Sequence, residues 1–502
     1  MLIPDKFHSI GTDNYTDYNK NLFNEYQKLE KKVSKLSSML REYINKLIGA
    51  KRTISKLEKE NASYISQIDD LNNTILKLKA KLSKDSSNSS KPSSTNGYKK
   101  VITNRRVKSD KSIGAQKGHS PHSLDKKKLQ KFIDSGNIEY KVIDVNKNIF
   151  NEHKRYISKK VIDIKIIKTL SEYRYYPDEH GKYNIPPYHN QKIQYGPNLK
   201  AISTSLLNDL YNSTDGVTRF IDSISNGGIT LSKGTLINWN TTLSNILEPE
   251  IKHIEESLLD SYYINHDESN IKINGNNYNV LCACNKLHTR LWVDEHKNRD
   301  VLNSIGFLPK YKGVIVKDGT SLYDVYGTVK SQCISHIQRY LKGIYDNNGH
   351  IQPKKLSEFF TKCNDLRNDY ISSDKIKFED NVYNNLILEY DSIISAWKKE
   401  FNDTIKNNFL LVEEETLIKR MASKDKDEIL YFLKDFKVPS TNNQAETDQR
   451  NVKIKQKIGK FRSNHGASDY AVIRSCINTY KKNNVNVLYA LSQAFSNNTI
   501  II

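Results

Sequence analysis

Residues 313 to 320 read "GVIVKDGT". The apolar run Val314, Ile315, Val316 suits a short buried strand, because branched side chains pack well on a pleated surface. Asp318 stands at the exit, and Gly319 lets the backbone turn there. One acid at a strand end decides nothing, so the reading depends on its surroundings. Upstream, "SYYINHDES" (261–269) ends a β-rich run with Asp267. "KINGNN" marks a tight turn at Asn274-Gly275, and "YNVLCACN" and "HTRLWVD" follow as two strands. Residues 297 to 308 can form a helix. "SQCISH" reads as a fifth strand running into the helix "IQRYLKGIYD". Three strands in hairpin order, then strands alternating with helices, predict an α/β sheet with an antiparallel flank.

In a ribonuclease H-like topology the first and fourth strands are neighbours, so the carboxylates of Asp267 and Asp318 would converge where those strands end. Two such acids repel unless a cation lies between them. Mg²⁺ accepts hard oxygen ligands and keeps waters for substrate phosphates. A third acid is then expected on a later helix, and "STNNQAETDQRNVKIKQKIGKF" (440–461) supplies Glu446, with Thr441 or Asn442 as cap. Arg450, Lys453 and Lys457 follow at steps of four, three and four, so they share its helix face. An acid heading a basic stripe suits a metal-bound phosphodiester: a ligand for the metal, cations for the flanking phosphates. Cys282 and Cys284 sit in a predicted strand and read as core rather than ligands.

The chain has 502 residues and a formal charge of +21, which favours a polyanionic partner. No apolar run is long enough to cross a membrane, and the start "MLIPDKFHSI" lacks the order of a signal peptide. Five scattered cysteines suit a reducing compartment. From Tyr26 to Leu82 apolar residues recur at alternating steps of three and four. Val33, Ile54, Ile68 and Ile75 fall at heptad position a, and Leu29, Leu36, Leu57, Leu71 and Leu78 at d, which predicts a two-stranded parallel coiled coil. Asn61 at an a position would fix its register. "SKDSSNSSKPSSTNG" (83–97) reads as a flexible linker. Residues 99–128 hold ten Lys or Arg against two Asp, including Arg105, Arg106 and Lys108. Within them Lys117 and His119, beside Gly114 and Gly118, suit a loop lying against a phosphate backbone. Residues 197–246 read as helices. "VTRFIDSIS" and the helix opened by Ser232 fit a helix-turn-helix, with Lys233, Thr235, Asn238 and Asn240 offering donors to a major groove.

In order along the chain, "GAQKGHSPHSL", "YGPNLKA", "LSKGTLINW", "HDES", "VKDGTSLY", "QCISHIQRYL", "VPSTNNQAETDQRNVK" and the tail from "FRSNHGASDY" resemble the motifs of insertion sequence 66 family transposases, the DDE-type large subunit. The resemblance implies a ribonuclease H-like catalytic domain with a helical insertion before the glutamate. It implies Asp267, Asp318 and Glu446 as catalytic and metal-holding triad, with two Mg²⁺ (or Mn²⁺) ions that activate water or a DNA 3′-hydroxyl and stabilise the leaving oxygen. Cys333 and His336 match a Cys-x-x-His segment of structural character. The implied activity is cleavage and strand transfer of element ends. The implied partners are double-stranded DNA (terminal inverted repeats and target), a second copy through the coiled coil, and accessory proteins of the same element, with no membrane. The implied location is the cytoplasm of a prokaryote, at the nucleoid. Two departures stand out. No cysteine precedes Cys282, so the family's cysteine-rich zinc segment is degenerate and no zinc is expected; and Thr447 stands where the family tends to have Arg. The expected organisation is a tail (1–19), coiled coil (20–85), linker (86–98), basic DNA-binding region (99–196), helix-turn-helix (197–250), first part of the catalytic core (251–344), helical insertion (345–438), and glutamate helix with C-terminal helices (439–502). The alternative is a dimeric DNA-binding transposon remnant without turnover. A purely structural coiled-coil protein leaves the three acids unexplained.

Overall fold

The computed structural model describes residues 17–85, 88–89, 126–136, 138–144, 157–186, 189, 192–404, 410–498 and 500–502. In chain order the helices are α1 (Asp17–Ser83), α2 (Lys126–Asp134), α3 (Pro197–Asn208), α4 (Thr214–Ile224), α5 (Lys233–Ile246), α6 (Glu248–Leu259), α7 (Arg299–Ile305), α8 (Ile334–Asn348), α9 (Gln352–Ser372), α10 (Asp380–Asn402), α11 (Leu410–Lys419), α12 (Lys426–Lys434), α13 (Asn443–Ile458), α14 (Asn464–Lys482) and α15 (Val487–Phe495). The strands are β1 (Tyr263–Ile273), β2 (Asn276–Cys284), β3 (Thr289–Asp294), β4 (Val314–Lys317) and β5 (Val329–Gln332). The chain divides into two compact units, residues 1–91 with 336–429, and residues 92–335 with 430–502.

The first unit is helical. α1 runs unbroken for 67 residues, about 100 Å. Its heptad seam is bare: Leu29, Leu36, Leu57 and Leu71 are all more than half exposed. Its end is anchored where Lys84 pairs with Glu413 at 2.9 Å and Ser83 Oγ donates to Asn347 at 3.0 Å. α9 and α10 bury Phe359, Phe360, Tyr390 and Trp397 between them. The fully buried Glu414 carboxylate is satisfied by Trp397 Nε1 at 2.5 Å, Asn348 Nδ2 at 2.6 Å and His350 Nδ1 at 2.7 Å. A buried acid with that many donors stabilises the bundle rather than straining it.

The second unit is built on a five-stranded mixed sheet, order β3-β2-β1-β4-β5. β1, β2 and β3 are antiparallel neighbours, while β4 and β5 run parallel to β1. Asn274 and Gly275 both take positive φ (47° and 88°), the backbone that a two-residue hairpin turn requires. One sheet face buries Ile271, Ile273, Val280, Cys282 and Cys284 against Ala445 and Val452 of α13. The other packs Ile264, Leu281, Ala283 and Ile315 with Ile254 and Leu258 of α6, and with Ile473 and Ile477 of α14. β3 is an edge strand, and α14 closes it: the N–H groups of Leu291 and Thr289 donate to Ser475 Oγ (2.9 Å) and Thr479 Oγ1 (3.1 Å). An edge capped this way cannot recruit a foreign strand. α15 packs on α3, and α14 on α5, so the C-terminal helices join the helical trio α3–α5 to the sheet.

Two local expectations differ from what is seen. The fifth strand stops at Gln332, and Ile334 already opens α8, so "SQCISH" is half strand and half helix. Asp267 does not end its strand: β1 continues to Ile273 because β2 goes on pairing with it, and only the β1–β4 ladder stops, at Asn265–Val316.

Candidate active site

The parallel register of β1 and β4 joins Tyr263 to Val314, Ile264 to Ile315 and Asn265 to Val316. Two residues further along that register stand Asp267 and Asp318. Asp267 alternates onto the same face as Asn265, Ile271 and Ile273, which is the face that α13 covers. Glu446 sits in the first turn of α13. Burial pushes the Asp267 carboxyl well above the usual aspartate range, and the charges of Asp318, Glu268 and Glu446 push it the same way. The charges of Asp318, just past β4, and of Glu446, on α13, thus reach the Asp267 carboxyl, as does that of its neighbour Glu268.

Glu268, one residue on, lies on the opposite face of β1. It accepts a hydrogen bond from the buried Tyr323 hydroxyl and lies 3.5 Å from Lys297 Nζ. His266 shares that face, its ring against Tyr323 at 4.6 Å between centroids; burial pushes its pKa down to about 3, so it stays neutral. Asp324 is engaged as well. The side chain of Lys317 is buried, and its Nζ donates to Asp324 at 2.5 Å and to the Thr320 carbonyl at 2.9 Å. Neither Glu268 nor Asp324 is an ordinary surface acid.

α13 is tied to β1 by side chains that sequence reading did not single out for this task. Asn442 occupies the N-cap position of α13, but its side chain makes no capping bond. Its Nδ2 instead donates to the His266 carbonyl, and its Oδ1 accepts from Asn265 Nδ2, both at 2.9 Å. Gln449 Nε2 donates to the Asp267 carbonyl at 2.8 Å. The signal in the sequence was the density of amides around Glu446; what it lacked was their partner strand, 176 and 182 residues away.

The basic stripe lies on the same helix. Arg450 and Lys457 are exposed, and Lys453 is half-buried. Desolvation lowers the Lys453 pKa against the opposing pull of Asp267 and Glu446, so its ammonium lies within their field. In α5, Ser232 is the expected N-cap, accepting from Thr235 N at 3.0 Å. Lys233 and Asn238 are exposed there, and Lys233 pairs with Asp215 at 2.7 Å. Thr235 holds its hydroxyl 2.9 Å from Ser232 Oγ. Asn240 is not a groove donor: it is buried and bonded to Asn208 at 2.9 Å. Arg105, Arg106, Lys108, Lys117 and His119 lie outside the described residues.

Cys333 is buried at the end of β5, and its sulfur accepts from the Asn442 N–H at 3.2 Å. His336 is buried in α8 with Arg339 Nη1 2.9 Å from its Nε2. Cys282 and Cys284 face α13, where their sulfurs and an Asp448 oxygen lie within 4.8 Å of one another. Asp448 already accepts from Lys482 (2.7 Å) and Thr289 (2.8 Å), and burial drives the Cys282 thiol well up. A neutral thiol beside a satisfied carboxylate packs as core. By contrast, the three acids of the candidate site offer hard oxygens and excess negative charge. That donor set fits a divalent cation such as Mg²⁺ or Mn²⁺.

A mixed five-stranded sheet flanked by helices and bearing these acids is compatible with the catalytic domain of a DNA transposase. The chain matches the transposase IS66 family over residues 192–469, more than half of its length, and belongs to that family. Residues 22–125 are similar to a family of unknown function (DUF6444). A search of curated proteins finds no match. Membership implies a DNA-cleaving enzyme that acts in transposition and binds DNA. No described helix is long and apolar enough to cross a membrane.

Proposed function

We propose that this chain is a DDE transposase whose Asp267, Asp318 and Glu446 carry metal-dependent cleavage and strand transfer of element ends. The observation that supports this reading is the β1–β4 register, which pairs Asn265 with Val316, two residues before Asp267 and Asp318, together with the field of Glu446 acting on the buried Asp267 carboxyl. We read the sheet as ribonuclease H-like from its strand order and senses.

Asp267 on β1 and Asp318 just past β4 would hold Mg²⁺, and Glu446 on α13 would complete the set. When bound, the metal supplies Lewis-acid stabilisation of the attacking and leaving oxygens in an in-line displacement at phosphorus. Lys453, Arg450 and Lys457 hold the phosphates next to the scissile one. The sheet interior and α13 exclude water from the Asp267 carboxyl, which strengthens its charge interactions. No covalent protein nucleophile is required.

The helical trio α3–α5 serves as the helix-turn-helix, with Lys233 and Asn238 at the exposed start of α5 facing the end sequence. The basic stretch 99–128 adds sequence-independent affinity. The bare seam of α1 pairs with that of a second copy. The test is Mg²⁺-dependent nicking of a labelled element end by the full-length protein. Binding of that end without nicking, with Mg²⁺ or Mn²⁺ present, would instead mark a DNA-binding remnant.

A further inference from the structure

Two buried amides bracket Glu446 on α13. Asn442 is fully buried and Gln449 is 3% exposed. They stand four residues before and three residues after the acid, so all three lie within two helical turns. Asn442 Nδ2 holds the carbonyl of His266 at 2.9 Å, and Gln449 Nε2 holds the carbonyl of Asp267 at 2.8 Å. Those carbonyls belong to the two peptide groups on either side of the Asp267 Cα. Asn265 closes the arrangement, donating to Asn442 Oδ1 at 2.9 Å and to the Thr441 carbonyl at 3.2 Å.

Adhesion alone does not need these groups. Ala445 and Val452 already bury the helix on the sheet, and apolar contact tolerates sliding. Burying primary amides carries a desolvation cost that is offset only when their hydrogen bonds are made in one geometry. A slip of α13 by one residue would shift it about 1.5 Å and rotate it about 100°. Both side-chain hydrogen bonds would break, and Glu446 would turn away from Asp267.

We propose that Asn442 and Gln449 are positioning residues that fix the helix bearing Glu446 against the peptide groups of Asp267, and so set the geometry in which the acids take a divalent cation. The inference rests on the reading of Asp267, Asp318 and Glu446 as the metal-holding acids. Groups that orient metal ligands typically change metal affinity by about 10–100-fold when removed.

The experiment measures Mn²⁺ binding to the full-length protein by calorimetry. The variants are Gln449→Met, which keeps volume and removes the donor, Asn442→Ala, and Asp318→Asn. Binding to a DNA duplex and the thermal midpoint without metal are followed in parallel. The expected result is that Gln449→Met and Asn442→Ala each weaken Mn²⁺ binding by about tenfold or more, while DNA binding is kept. End cleavage by either variant should be rescued by raising Mn²⁺, which a collapsed fold would not allow. Wild-type Mn²⁺ affinity in a folded Gln449→Met or Asn442→Ala protein overturns the proposal. So does a loss of folding and DNA binding in both, since the amides would then be general supports. If Asp318→Asn binds Mn²⁺ as wild type does, the failure lies in the reading of the acids themselves.

Discussion

Asp267 stands on a buried strand with its proton affinity raised by burial first and by three neighbouring carboxylates after it. The sign of the consequence is fixed. A carboxyl whose folded-state pKa is raised stabilises the fold while protonated, below its ordinary range, and that stability is lost as pH rises through the folded value. Without metal, the second unit should therefore lose stability from about pH 4 upward. A divalent cation should restore it by replacing the proton. Asp318→Asn removes one of the repelling charges while keeping the shape. Its thermal midpoint without metal at neutral pH should rise above that of the wild type, and the further rise on adding Mg²⁺ should vanish. Scanning calorimetry with and without Mg²⁺ checks both; a midpoint lowered by the substitution contradicts the repulsion. Asp318 drew notice in the sequence because it follows an apolar β run, and Asp267 because it closes a β-rich one. The tasks of Glu268 and Asp324 were not legible there. Their partners, Tyr323 and the buried Lys317, are set by how the loop after β4 folds back. Asp294, at the end of β3, accepts from the nearby His296 N–H at 2.9 Å and serves as a control acid outside the candidate site.

At the scale of elements, α13 is gripped at both ends. Near Glu446 it is held by Asn442 and Gln449. Further on, Tyr211 donates to Asn451 at 2.5 Å, and Lys455 Nζ donates to the carbonyls of Leu207 (3.0 Å) and Asn212 (3.1 Å). Those carbonyls lie at the end of α3 and the loop after it, where a cation suits the helix dipole. Burial pushes Lys455 down to about 8. A base with a depressed folded-state pKa contributes stability at high pH that is lost as pH falls through that value. Wild-type protein should thus gain about 1–2 kcal/mol relative to Lys455→Met between about pH 7.5 and 9.5. Urea titrations of both proteins at the two pH values measure the difference, and parallel curves would contradict it. The period of the helix made α13 legible, with its basic stripe; nothing local revealed that Lys455 belongs to the buried face, since only the fold of α3 supplies its two carbonyls. α1 is the opposite case. Its seam is legible to the residue and is bare along the described helix. A fragment of residues 20–85 should be a parallel dimer held in register by Asn61. Sedimentation equilibrium should give twice the monomer mass, and a monomer at about tens of micromolar, where such zippers associate, would contradict it.

Across the whole molecule, an excess of 21 positive charges meets a carboxylate site. Ten of the 78 Lys and Arg stand in the stretch 99–128, and others line α13 on the same helix as Glu446 or open α5. Deleting residues 99–128 should weaken binding to any duplex and flatten its salt dependence, because fewer counterions are released. Changing Lys233 or Asn238 should instead reduce preference for the element end. Equal losses on specific and unrelated duplexes from both changes, read by fluorescence anisotropy across a salt series, would contradict the role given to α5. The hairpin order of β1, β2 and β3 was legible because turn residues and strand periodicity are local signals, whereas the helical insertion was an expectation drawn from the family resemblance. The packing of α14 on the β3 edge and of α15 on α3 was not legible, since it depends on contacts as far as 190 residues apart or more.

The most direct measurement is Mg²⁺-dependent cleavage and joining of a labelled element end by the wild type, Asp267→Asn, Asp318→Asn, Glu446→Gln and Asp294→Asn. Removing a group that stabilises charge in such a transition state typically costs about a hundredfold or more in rate. That loss is expected in each of the first three variants with DNA binding retained, and wild-type rates are expected in Asp294→Asn. Full activity in any of the three, or an equal loss in Asp294→Asn, would contradict the role given to the three acids.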